Sequence, residues 1–209
     1  MDKKIDELKN GKRLPVMEEF YSLQGEGFHT GSAAYFLRVG GCDVGCNFCD
    51  VKESWNADIH PLVSVDEVIS RIVEQKSPCV VVTGGEPCLY NLDYLCEQLR
   101  NNRIFTHLET SGSEKLSGSF HWICFSPKKA TSIHSEFYEQ ADELKVIVES
   151  KDDFVWAEEN AAKMNENAVL YLQPEWSNFD EITSVIVDYI LQNPKWKISL
   201  QSHKYMRIP

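Results

Sequence analysis

The chain has 209 residues, 43% hydrophobic and 25% charged, which is enough for one domain with a substantial core. Its net charge of −11 disfavours a polyanion as main partner, because nucleic-acid binders carry a basic footprint. The opening MDKKIDELKNGK lacks the apolar stretch of a signal peptide, and no run reaches membrane-span length. A soluble, cytoplasmic protein acting on a small molecule is expected, with neither nucleic acid nor membrane as partner.

Residues 1–13 read as a peripheral or poorly ordered lead-in to a single domain covering 1–209. From Leu14 to Gly31, LPVMEEFYSLQGEGFHTG reads as a short extended segment and a Gly-rich turn. An apolar strand, AAYFLRV, then delivers the loop GGCDVGCNFCD, which places Cys42, Cys46 and Cys49 in a C-x3-C-x2-C pattern. Ser64 opens a helix, with Glu67 completing a capping-box pattern and Val65, Val68, Ile69 and Ile72 forming its apolar face. Strand PCVVVTGGEP and a helix opened by Asn91 follow, then strands IFTHLETSG, WICFSPKK, ELKVIVES, AVLYLQPE and WKISLQSHKY. Helices are expected near 136–142, 150–164 and 178–192. Strand–helix alternation implies a parallel sheet, and six or seven strands fall short of a closed barrel. The expected fold is α/β: an incomplete TIM-like barrel of about six βα units, with an amino-terminal extended segment and a carboxyl tail at its mouth.

Three thiolates within eight residues suit an iron–sulfur cluster or another thiophilic metal. A structural zinc site would need a second ligand pair, and no further C-x2-C or H-x3-H occurs. A four-iron cluster held by three cysteines leaves one iron open to a substrate or cofactor. Cys79, Cys88, Cys96 and Cys124 read as core residues without chemistry. The strands end, on their carboxyl side, in GGCDVGC, TGGEP, ETSG, SPK, QPE and QSHK, at the edge where parallel folds bind ligands. Gly84-Gly85-Glu86-Pro87 offers a closely approachable backbone and a carboxylate able to meet an ammonium.

The cysteine spacing followed one strand later by GGEP resembles the radical S-adenosylmethionine superfamily. FYSLQGEG, FLRVGGC, LETSG, FSPK, ELKVIV, YLQPE and QSHKYMRIP narrow the resemblance to the 7-carboxy-7-deazaguanine synthases, over about Glu19 to Pro209. It implies a homodimeric carbon–nitrogen lyase that converts 6-carboxy-5,6,7,8-tetrahydropterin to 7-carboxy-7-deazaguanine with loss of ammonia, in queuosine biosynthesis. Its cofactors would be a 4Fe-4S cluster on Cys42, Cys46 and Cys49 and S-adenosylmethionine, with electrons from a flavodoxin-type reductant. The radical comes from the cofactor, so no protein residue is assigned as catalytic. By the same resemblance, Phe48, Asp50, Gly85, Glu86, Glu109, Ser111, Ser126, Pro127, Lys128 and Gln173 would surround the cofactor. Leu23, Gln24, Gly25, Glu26, Arg38, Thr83, His203 and the terminal carboxylate of Pro209 would surround the substrate.

Many family members follow the last cysteine with Asp-Thr, whose hydroxyl binds magnesium, whereas this chain has Asp50-Val51-Lys52. Magnesium would then bind through other oxygens or be dispensable, and Lys52 reads as a surface lysine. The competing readings are a glycyl-radical-enzyme activase, which leaves QGEG and QSHKY unexplained, and a non-catalytic iron–sulfur or metal-binding protein, which needs a fourth ligand.

Overall fold

Period-two alternation decides which face of the sheet becomes core and which becomes site. In strand β7 (Glu143–Val148), Leu144, Val146 and Val148 are buried in the main apolar core, while Lys145 and Ile147 face a cavity on the other side. The computed structural model describes residues 3–209. Among the described residues one sheet has nine strands: β1 (Arg13–Leu23), β2 (Ala33–Val39), β3 (Leu62–Ser64), β4 (Cys79–Gly84), β5 (Phe105–Thr110), β6 (Trp122–Phe125), β7, β8 (Val169–Pro174) and β9 (Trp196–Ile198).

The order β3-β1-β2-β4-β5-β6-β7-β8-β9 has two ends, so the barrel is open. From β2 to β9 the strands pair in parallel, as the alternating sequence requires. β1 pairs antiparallel with both β2 and β3, an extension the sequence reading did not foresee. The predicted short segment after Leu14 is an 11-residue strand running the length of β2.

Helices α2 (Val65–Glu74), α3 (Asp93–Asn101), α4 (Glu136–Gln140), α5 (Asp153–Ala161) and α6 (Phe179–Gln192) cover the apolar face. Val65, Val68, Ile69 and Ile72 of α2 meet Leu95 and Leu99 of α3 and the apolar face of the sheet in one core. Ser64 does stand at the N-cap of α2, but its side chain makes no capping bond. Of the amino-terminal residues read as peripheral, Met1 and Asp2 lie outside the described residues. Lys3–Lys9 form helix α1, and the Glu7 carboxylate accepts from Arg13 Nε at 2.9 Å. The short α7 (Ser202–Met206) follows β9 and returns the tail to the sheet edge.

Candidate active site

The cysteine loop leaves β2 between two backbone clasps. Gly41 N–H donates to the Ser54 carbonyl at 2.6 Å, and Gly85 N–H and Glu86 N–H donate to the Val39 and Gly41 carbonyls, each at 2.8 Å. A Cβ on Gly85 would stand 2.0 Å from the Gly41 oxygen, so only glycine lets GGEP lie against this loop. Cys42, Cys46 and Cys49 line a cavity of about 250 Å³ at the carboxyl ends of the parallel strands. Burial pushes the Cys42 and Cys46 thiols up, and the Lys128 ammonium pulls Cys46 back down.

Phe48, Asp50, Gly85, Glu86, Glu109, Ser111, Ser126, Lys128 and Gln173 line the same cavity. Pro127 does not: it faces a neighbouring cavity of about 200 Å³, shared with Cys46 and Phe48, while its sequence neighbours Ser126 and Lys128 point inward. Among the described residues no three His, Cys, Asp or Glu side chains form a metal-holding group. The donor set nevertheless fits an iron–sulfur cluster: three soft sulfur ligands lining one cavity, with a lysine there to offset thiolate charge.

Glu86, only 1% exposed, is already fully engaged. Its carboxylate accepts from Cys88 N–H (3.1 Å), Thr110 Oγ1 (2.6 Å), Ser111 N–H (2.8 Å) and Ser111 Oγ (2.6 Å). A cofactor ammonium would therefore share these oxygens with the turn that Glu86 holds together. Lys128 Nζ donates to the Ser126 carbonyl and hydroxyl at 2.6 and 2.7 Å, and burial depresses its pKa.

A second cavity, about 320 Å³, is lined by Leu23, Gln24, Gly25, Glu26, Arg38, Thr83, His203 and Pro209. Glu26, Asp50, Val51, Thr83, Gly84, Glu109 and Gln201 belong to both cavities, so the two share a wall. Arg38 pairs with Glu18 at 3.0 Å and lies over the Phe20 ring, whose partner is Phe36. Burial lowers the pKa of His203, whose ring packs on Gly25.

A Radical SAM superfamily model matches residues 37–116. The 7-carboxy-7-deazaguanine synthase of Flavobacterium psychrophilum is 52% identical over 97% of this chain and 96% of its own, and that of Synechocystis is 45% identical over 93% of each. The chain belongs to the 7-carboxy-7-deazaguanine synthase family. The crystal structure of QueE from Escherichia coli superposes with a TM-score of 0.84 at 29% identity, covering 97% of this chain and 99% of that one. With relatives of this length and name, neither the activase reading nor the non-catalytic metal protein is favoured.

In this synthase-family chain burial disfavours the thiolate at the other four cysteines. Burial raises the Cys79 thiol to about 12, Cys96 to about 11, and Cys88 and Cys124 further still. Lys52 is exposed, beside Trp55, as its surface reading required. The sequence reading missed Lys145 and Gln201. Lys145 Nζ donates to Glu26 and Glu109, and Gln201 Nε2 donates to Glu26 Oε1 and Asp50 Oδ2, each at 3.0 Å. A lone lysine in an apolar strand was the available signal for the first; the second carried none. Among the described residues no helix is long and apolar enough to cross a membrane.

Proposed function

We propose that this chain converts 6-carboxy-5,6,7,8-tetrahydropterin to 7-carboxy-7-deazaguanine and ammonia, with a 4Fe-4S cluster on Cys42, Cys46 and Cys49. When bound, the cluster and S-adenosylmethionine supply the radical that starts the ring contraction. The observation that carries the reading is the pair of cavities with a common wall, one holding the three cysteines and the other the Gln24–Glu26 turn, Arg38 and His203. Ionised Glu26 is an acceptor for ring N–H groups, and the Gln24 amide offers both donor and acceptor. Arg38 can exchange its exposed partner Glu18 for the substrate carboxylate, which it matches with a planar fork. Ser202 N–H donates to the Gly25 carbonyl at 2.9 Å, fastening the tail over the turn and keeping water from the reacting centre.

Phe48, Asp50, Gly85, Ser111, Ser126 and Gln173 would hold the cofactor, with Glu86 anchoring the turn it meets. Val51 puts an apolar side chain on the shared wall, so a magnesium ion would depend on carboxylate oxygens or be dispensable. The same reading takes the chain as one domain and carries a cytoplasmic homodimer reduced by a flavodoxin-type donor. Anaerobic reconstitution, incubation with the tetrahydropterin and mass analysis test it. Formation of 7-carboxy-7-deazaguanine is expected, and a reconstituted, cofactor-binding protein that forms none would overturn the reaction.

A further inference from the structure

Strand β7 carries its lysine on the concave face, and there Lys145 is 3% exposed. Its Nζ donates to Glu26 Oε2 at 2.5 Å and to Glu109 Oε2 at 2.9 Å. Glu109 Oε1 accepts from Gln24 Nε2 at 2.9 Å, and Gln24 Oε1 accepts from the Glu26 N–H at 3.2 Å, which closes a ring of four residues. The ring joins the amino-terminal turn to β5 and β7, and two of its members stand on the wall between the cavities. Neither an isolated ammonium nor two adjacent carboxylates could be buried alone, so each charge needs the others.

We propose that Lys145 is a positioning residue for the reaction, fixing Glu26 on the substrate side and Glu109 toward the cofactor in one register. The inference rests on the proposed reaction, because only there do the two carboxylates serve two ligands. Without the ammonium, the carboxylates repel each other, and one takes up a proton or they separate. A protonated Glu26 would present a donor where the substrate needs an acceptor.

The sign of the pH dependence follows from Glu26. Burial alone would raise its carboxyl, but the charge and hydrogen bond of Lys145, with Gln201 and Gln173, hold it at about 2. The titratable groups facing this centre are Glu109, Cys124, Glu143, Lys128 and His203. Glu26 therefore stays ionised at neutral pH in the native protein. Removing Lys145 leaves burial opposed by the Gln201 and Gln173 hydrogen bonds and no longer by a charge, so Glu26 loses its charge as pH falls through a raised value.

The test compares Lys145→Met and Lys145→Arg with the native sequence in reconstituted holoenzyme. Iron content, the optical change on adding S-adenosylmethionine, pterin affinity by equilibrium dialysis without reductant, and kcat/KM against pH are measured. With iron content preserved, Lys145→Met should lose about 100-fold in kcat/KM, the scale of misplaced positioning groups. Its pterin affinity should fall about tenfold and its acid limb rise by about one pH unit or more. Lys145→Arg keeps the charge but moves the donors, so an intermediate loss with an unshifted profile is expected, and this variant decides if Lys145→Met does not fold. Native kcat/KM in either variant, or a shifted profile in Lys145→Arg, overturns the positioning role. Absence of product from the native protein would instead strike the reaction itself.

Discussion

Replacing Glu86 with Ala should unfold part of the site before any cofactor is considered. The carboxylate holds four donors, two of which are the backbone N–H groups of Cys88 and Ser111 and cannot turn elsewhere. Each buried N–H left without an acceptor costs about 1–3 kcal/mol, so the two together cost about 2–6 kcal/mol. The Thr110 and Ser111 hydroxyls can rotate and add less. Against a total stability of about 5–15 kcal/mol, this is a large fraction. Urea denaturation of the cluster-free protein under reducing conditions isolates the effect, since no bound cofactor can contribute. Glu86→Gln should fall between, because its amide nitrogen faces the donors that an oxygen now serves. A Glu86→Ala protein within about 0.5 kcal/mol of the native one would refute the structural account of these bonds.

Replacing Cys42, Cys46 or Cys49 with Ala should abolish iron binding and activity, whereas Cys88→Ala and Cys96→Ala should keep both; near-native iron in Cys46→Ala would contradict the assigned ligands. Val51→Thr should increase the response of turnover to magnesium, a weak one in the native protein, as an added hydroxyl supplies a hard ligand. A strong native requirement would show that other oxygens hold the ion. In Gly25→Ala the new methyl would meet His203 Nδ1 at 2.2 Å, so the ring and tail must move. Overpacking of about 1–3 kcal/mol should raise the pterin KM about tenfold with iron content unchanged. An unaltered KM would remove His203 from the substrate wall.

What was legible in the sequence was what neighbouring residues encode. The cysteine spacing, GGEP and the small residues ending each strand are local, and they fall at one edge because parallel strands share a direction. Lys145 was not legible, since its partners Glu26 and Glu109 lie 119 and 36 positions away and only the assembled sheet brings them to it. Gln201 was hidden similarly, its bonds to Glu26 and Asp50 spanning 175 and 151 positions. The segment after Leu14 read as extended but short, because its full length depends on partners distant in sequence: it pairs along β2, and Glu19 accepts from Tyr35 and from Arg71 of α2. Glu86 was recognised as a site carboxylate, but its neighbours' donors were not, so its structural duty stayed unseen.

The bond from Ser202 Oγ to the Gly25 carbonyl, 2.9 Å long, closes a span of 177 residues. Closing so long a span is entropically costly before the sheet exists, so this seam should zip last during folding, once β1 to β9 are in register. It should also open first. Few apolar contacts hold a short helix such as α7, and local opening there has a lower free energy than global unfolding. Amides of the Gly25 turn and of residues 200–206 should then exchange with solvent hydrogen well before those of β4 to β8. A seam that opens in this way would give substrate and product a route while the scaffold behind it stays intact.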